Sequence, residues 1–151
     1  MSIAIVLHLL SAVIWVGGML FAHQVLRPVA AELLDPPLRQ PLWVGVFTRF
    51  FPLVWGAIIL IPVSGYWMIF NVLGGFGSVG IYVHLMQTIG WLMIVLFLYV
   101  YFVPFQQLKA AVAEKAWLNG KAHIDRIRDV VGINMILGLI TIAIGAGGRY
   151  L

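Results

Sequence analysis

The chain has 151 residues, of which 63% are hydrophobic and only 9% are charged. Soluble domains are about 45–50% apolar and about 25% charged, so this chain has too few charges to cover a soluble surface. Aspartate, glutamate, lysine and arginine are absent from residues 1–26, 50–108 and 130–148. Since a helix needs about 20 apolar residues to cross a bilayer, these three gaps indicate an integral membrane protein in contact with lipid.

The cysteine count and the length exclude further classes of protein. The chain has no cysteine, so disulfides, thiolate metal sites, iron–sulfur clusters and a cysteine nucleophile are ruled out. At this length we expect one domain over residues 1–151, without a separate soluble catalytic domain.

Four membrane-spanning helices fit the uncharged stretches, and they predict an all-α, up-down four-helix bundle. The expected spans are about 3–26, 51–70, 80–103 and 130–147. Pro52 is expected near the first turn of span two, where its missing N–H is harmless. Pro104 is expected to kink or end span three.

The two charged connections have different patterns. The connection from Arg27 to Arg49 contains four prolines, which predicts two short interfacial pieces. Residues 105–129 mix charges with apolar residues, which predicts helical extensions of spans three and four, with a break at Gly120.

The basic residues predict the orientation of the bundle. Eight of the nine lysines and arginines lie in the connections after spans one and three, and Arg149 alone lies on the other side. The positive-inside rule therefore predicts that these connections are cytoplasmic and that both termini lie on the outer side, which is the periplasmic side of a bacterial inner membrane. Topology explains the basic excess, so we do not expect nucleic-acid binding.

Two histidines are the most informative polar residues inside the spans. His8 and His84 lie four or five residues beyond the expected outer boundaries of spans one and three, which places both at a depth of about 6–8 Å. Facing side chains of diagonal helices can hold a cofactor in a bundle core. This pattern fits a b-type haem between two imidazoles, although each ring could instead bond to backbone or water.

The helix faces around these histidines supply the remaining predicted cofactor contacts. Trp15 and Gly18 follow His8 at helical spacing, and Thr88 and Trp91 follow His84. Small residues such as Gly18 usually serve helix packing, but they would also leave room for a flat macrocycle.

Copper is the alternative ligand. Imidazoles and thioethers select Cu(I), and His8, His84 and Met68 are expected at compatible depths in the outer half. Most methionines in a chain like this fill the core.

Two further polar residues have open roles. His23 lies near Arg27 and Arg49, where it is either structural or part of a site for an anionic group. For Asn134, an interhelical hydrogen bond is the default expectation.

Several short motifs resemble known membrane families. The run HLLSAVIWVGGMLF from His8 to Phe21, followed by Leu26-Arg27-Pro28, resembles the opening of the CopD (copper resistance protein D) family. The small stand-alone members of that family have four spans, and the family name implies copper uptake or handling at the outer face.

Other elements are similar to the HemJ-type protoporphyrinogen oxidases, which are small four-span haem proteins. These are His8 with Trp15, the GYWM motif at Gly65–Met68, the YVH motif at Tyr82–His84, and Asn134. That resemblance implies haem b at His8 and His84. Those oxidases have a lysine where this chain has Met86, which argues against protoporphyrinogen oxidation and leaves a different membrane oxidoreductase activity open.

The first functional hypothesis is therefore a CopD-like inner-membrane protein with haem b between His8 and His84. It would transfer electrons between the haem and a quinone or a periplasmic redox partner. The alternatives are a copper transport or tolerance protein and a cofactor-free membrane scaffold. Under each of these hypotheses the protein could form a homo-oligomer.

Overall fold

The computed structural model describes residues 2–150, and all regular secondary structure in that range is helical. The helices are α1 (Ser2–Phe21), a π-helical turn (Ala22–Leu26), α2 (Arg27–Leu33), α3 (Pro36–Asn71), α4 (Ile81–Phe102), α5 (Pro104–Ala113), α6 (Trp117–Gly147) and a terminal 3-10 turn (Gly148–Tyr150).

Four of the helical segments are long and apolar enough to cross a membrane. They are Ser2–Leu33, Pro36–Asn71, Ile81–Ala113 and Trp117–Tyr150. The predicted all-α, four-span fold is thus confirmed, and the chain is a multi-pass membrane protein. We call the end of the bundle with residues 72–80 the terminal end, and the end with residues 34–35 and 114–116 the basic end.

The four long helices pack in neighbouring pairs. α1 packs along α3, α4 packs along α6, and α6 also contacts both α1 and α3. Side chains bridge α3 and α4 in the basic half, where the Phe51 ring meets the ring of Phe97 edge-on with centroids 5.4 Å apart. Apolar side chains from α1, α3, α4, α5 and α6 form one continuous core.

A glycine allows three of these helices to approach closely. A Cβ atom on Gly138 of α6 would lie 2.7 Å from Cγ2 of Val16 on α1 and 3.1 Å from Cε of Met93 on α4. Small residues at such contacts let membrane helices pack through van der Waals contact, because lipid provides no hydrophobic driving force between them.

The first connection differs from the prediction. Instead of two short interfacial pieces, the π-helical turn joins α1 directly to α2, and α3 begins only two residues after α2 ends. Pro41, Pro52 and Pro62 lie inside α3, so Pro52 is not near its start. Neighbouring helices and local adjustments satisfy the backbone groups that proline frees, so a membrane helix tolerates it.

The second connection confirms one prediction and corrects another. α4 ends at Phe102 and Pro104 begins α5, as predicted, and the spans do extend as helices. The break, however, falls at residues 114–116, where Lys115 has a φ of 54°, and Gly120 is buried inside α6. Gly120 serves packing: a Cβ there would overlap the side-chain oxygen of Gln40.

Candidate functional site

The His8 ring is held between α1 and α3. Its Nδ1 lies 3.1 Å from the carbonyl oxygen of Ile61 and 3.0 Å from Oγ of Ser64. Because a carbonyl oxygen can only accept, Nδ1 carries the proton and donates it. The Ser64 hydroxyl donates to the carbonyl oxygen of Leu60, so its oxygen can accept from Nδ1. In the neutral ring this leaves the lone pair on Nε2.

Two further residues of α3 lie on the face that His8 contacts. A Cβ on Gly65 would lie 3.4 Å from His8 Cε1, so the imidazole lies over this glycine. Met68 follows Ser64 by four residues and Gly65 by three, and residues at these spacings share one helix face. Met68 is half-buried and lies one turn nearer the terminal end.

His84 has a different environment. Its side chain is exposed, and its ring stacks near Phe76 of the connection, with centroids 6.1 Å apart and an interplanar angle of 27°. The Thr88 hydroxyl donates to the His84 carbonyl oxygen over 2.9 Å. α4 packs on α6 rather than on α1, so His84 and His8 have separate neighbours.

The remaining predicted cofactor contacts are also dispersed. Trp15 is buried edge-on against Phe97, with centroids 6.4 Å apart. The space beside Gly18 is filled by the Phe50 ring, which a Cβ on Gly18 would overlap. Trp91 is 47% exposed, and its indole N–H donates to the Tyr66 hydroxyl on α3.

These positions do not fit a haem between the two histidines. Within residues 2–150 the His8 ring is bonded to α3 and the His84 ring lies at the surface beside Phe76, so no bis-histidine haem site is evident. Both residues lie in the first two turns of their helices at the terminal end, but this position does not determine rotation about the helix axis.

A polar bridge between α3 and α4 was not expected from the sequence. The Tyr66 hydroxyl oxygen accepts hydrogen bonds from Gln87 Nε2 over 2.7 Å and from Trp91 Nε1 over 3.0 Å. These bonds connect the two helices in the terminal half of the bundle. Tyr66 belongs to the GYWM motif and Gln87 is an amide inside α4, but a sequence does not show that the two side chains pair.

His23 lies beside a small cavity at the basic end. The cavity is also lined by Arg27, Arg128 and the apolar side chain of Trp43. Arg128 is paired with Asp125 and Asp129, at 3.3 and 2.9 Å, so its charge is already balanced. The Arg27 Nε donates to the His23 carbonyl oxygen over 3.2 Å, which favours a structural role for this group.

The available metal donors are imidazoles and thioethers. Among residues 2–150, no three side chains of histidine, aspartate or glutamate come together, and the sequence has no cysteine. Three methionines are buried in the core, namely Met19, Met93 and Met135. Imidazole and thioether donors favour Cu(I) over harder cations such as Mg²⁺ and Ca²⁺.

Asn134 makes the interhelical bond expected of it. Its Nδ2 donates to the carbonyl oxygen of Met93 over 3.2 Å, which connects α6 to α4. Its Oδ1 is buried and has no hydrogen-bond partner.

Comparison with known families identifies the chain. The family model described as copper resistance protein D, CopD, matches residues 44–147, which is more than half of the sequence. The chain belongs to the CopD family. The match starts near the beginning of α3 and ends with α6, so His8 and α1 lie outside it and their CopD resemblance rests on the motif. No curated protein and no solved structure matched the chain.

Membership of the CopD family favours the copper hypothesis over the haem hypothesis. The family description names copper resistance, which supports the copper alternative. The comparisons do not show the second resemblance, to HemJ-type oxidases, and they do not support haem b.

Proposed function

We propose that this CopD-family protein binds copper as Cu(I) at the terminal end of its bundle and handles it across the membrane. His8 and Met68 are the first ligands. The orientation of the His8 ring carries the proposal: Nδ1 donates to the Ile61 carbonyl oxygen at 3.1 Å, which leaves Nε2 free to bind a metal.

This arrangement is typical of a metal-binding imidazole. A ligating histidine usually donates its second ring N–H to a carbonyl or carboxylate, which sets the tautomer and the direction of the lone pair. In His8, Ile61 and Ser64 serve as those acceptors.

Met68 supplies the soft donor. It lies on the His8-facing side of α3, one turn nearer the terminal end, and its thioether is uncharged. Thioether sulfur favours Cu(I) over harder ions. Of the three residues expected to form the copper set, His84 is excluded from this proposal because its ring lies beside Phe76.

The test is a Cu(I) titration of purified protein against a chromogenic Cu(I) chelator under anaerobic conditions. Exchange of His8→Ala or Met68→Leu should weaken Cu(I) binding at least as much as loss of a supporting partner, about 10- to 100-fold. His84→Ala is the matched control and should bind like the native protein. Equal losses in all three variants, or none in His8→Ala, would overturn the assignment.

A haem-based electron-transfer role, with a quinone or periplasmic partner, makes a different prediction. It requires His8 and His84 to act together, so both alanine variants would lose the same absorption spectrum. No contact in the described residues favours this role over copper binding.

A further inference from the structure

A cavity between three parts of the bundle opens at the surface near the basic end. Its walls come from the π-helical turn and the start of α2, from α3, and from α6. The apolar part of the wall consists of Ala22, Trp43, Phe47, Ile124, Ile127 and Val131. A second cavity shares Ala22, Phe47 and Val131 with the first, so the apolar wall continues towards the middle of the bundle.

Arg27 supplies the positive charge at this cavity. Its side chain is half-buried, and it lines the cavity together with Arg128. Arg128 is paired with Asp125 and Asp129, and neither of these carboxylates lines the cavity. Both ion pairs within residues 2–150 belong to Arg128, so the Arg27 guanidinium has no carboxylate partner there. A cation in a membrane segment is expensive and usually pairs with another group.

The contacts around Arg27 hold the guanidinium in place without using all of it. Its Nε donates to the His23 carbonyl oxygen over 3.2 Å, and its two terminal nitrogens donate to no group within residues 2–150. The His23 ring packs on α6, with its Nε2 2.9 Å from a Cβ placed on Gly132, and its Nδ1 accepts from Gln24. His23 is therefore structural, and the terminal nitrogens of Arg27 are the donors left for a ligand.

The backbone at this position is also unusual. The Arg27 N–H donates to the Ala22 carbonyl oxygen, five residues back, as in a π-helix. Single π-helical turns inside α-helices occur frequently at functional sites. This turn carries two residues of the cavity wall, Ala22 and His23, and is followed directly by Arg27. The interruption of the helix therefore coincides with the cavity.

We infer that this cavity binds one anionic phospholipid from the leaflet at the basic end. The phosphate accepts hydrogen bonds from the terminal nitrogens of Arg27, and part of an acyl chain lies against the apolar wall. The planar donors of a guanidinium match a phosphate because they form paired bonds to two oxygens. Basic pockets between membrane helices on the cytoplasmic side bind phospholipid headgroups in this way.

The apolar wall favours a lipid over a soluble anion. A free phosphate ion would contact Arg27 but would leave Trp43 and Ile124 without a partner, whereas a phospholipid carries both an anionic group and apolar chains. The site is separate from the proposed copper site, which lies at the other end of the bundle.

The test measures lipid binding to purified protein in a neutral detergent. Phosphatidylglycerol and phosphatidylcholine with identical acyl chains are added separately, and inorganic phosphate is the third addition. Arg27→Gln removes the charge, and Arg126→Gln is the matched control, because Arg126 is an exposed arginine of α6 outside the cavity. Native mass spectrometry gives the lipid stoichiometry. The unfolding midpoint at increasing lipid concentration gives the affinity, since a ligand that binds only the folded state raises the midpoint.

We expect native protein and Arg126→Gln to retain one phosphatidylglycerol and to be stabilised by it, but not by phosphatidylcholine or phosphate. Arg27→Gln should bind phosphatidylglycerol at least about tenfold more weakly, as expected for the loss of hydrogen bonds from a charged donor. If this variant does not fold, Arg27→Lys replaces it. Lysine keeps the charge but lacks the planar fork of donors, so the affinity should still fall, while Arg126→Lys should bind like the native protein.

Three results would overturn the inference. Equal stabilisation by the two lipids would show that the cavity does not select an anionic headgroup. An equal loss of affinity in Arg27→Gln and Arg126→Gln would assign the attraction to the overall charge of the basic end. Stabilisation by inorganic phosphate as large as that by phosphatidylglycerol would show an anion site without a lipid. None of these results bears on Cu(I) binding at His8.

Discussion

His8 donates its ring Nδ1–H to the carbonyl oxygen of Ile61, 3.1 Å away on the neighbouring helix. This bond holds one edge of the imidazole against α3 and, in the neutral ring, leaves the lone pair on Nε2. Ser64 adds a second acceptor at 3.0 Å. The predicted copper chemistry follows from this orientation, since a free imidazole nitrogen binds metal only in its unprotonated form.

Ser64 should act as a positioning residue for His8. Ser64→Ala removes one acceptor of the Nδ1 proton, so the ring should be held less firmly and Cu(I) affinity should fall about tenfold. The measurement is the Cu(I) competition titration together with a thermal unfolding curve. The control is Thr141→Ala, since Thr141 also donates to a carbonyl oxygen one turn back, 2.8 Å away. Equal copper affinity in the two variants would contradict the role of Ser64.

Gly138 should be intolerant of any side chain. Gly138→Ala places a methyl group against Val16 and Met93, and overpacking of this kind typically costs about 1–3 kcal/mol. We expect a lower thermal unfolding midpoint in detergent. Gly17→Ala is the matched control, because nothing lies within 4 Å of its new Cβ. If Gly17→Ala lowers the unfolding midpoint as much as Gly138→Ala does, close packing at the α1–α4–α6 contact is not the cause of the destabilisation.

Gln40 and Gly120 should be energetically coupled at the basic end. Gln40 Nε2 donates to the Trp117 carbonyl oxygen over 2.8 Å, and a Cβ on Gly120 would overlap the Gln40 amide oxygen. Gly120→Ala should therefore destabilise the protein, and Gln40→Ala should relieve part of that loss. A double-mutant cycle of unfolding midpoints should show non-additivity equivalent to about 0.5–3 kcal/mol. Strict additivity would refute the contact.

The orientation in the membrane can be measured cleanly because the chain has no cysteine. Positive-inside topology predicts that Ser78→Cys, in the terminal-end connection, reacts with a membrane-impermeant thiol reagent in intact spheroplasts. Glu114→Cys, at the basic end, should react only after permeabilisation. Both native side chains are exposed. The reverse labelling pattern would invert the predicted topology.

Much of the fold could be predicted from the distribution of charges. The three uncharged stretches located the four spans, and Pro104 was correctly expected at the end of span three. Pro41, Pro52 and Pro62 were harder to interpret, because a membrane helix tolerates prolines that usually end a helix in water. Gly120 was misread as a break since a sequence does not show which glycines serve packing.

The candidate site could be predicted only in part. The position of a residue along a helix gives its depth, so His8 and His84 were correctly singled out as polar residues near one end. Rotation about the helix axis depends on the packing of whole helices. In the structure the His8 ring contacts Ser64 and the His84 ring lies beside Phe76.

The most direct test of copper handling is the metal and cofactor content of protein purified from cells supplied with both copper and haem. We predict stoichiometric copper in the native protein, strongly reduced copper in His8→Ala, and no Soret band in either preparation. A copper-free protein with a Soret band that disappears in both His8→Ala and His84→Ala would contradict the copper assignment and establish the haem alternative.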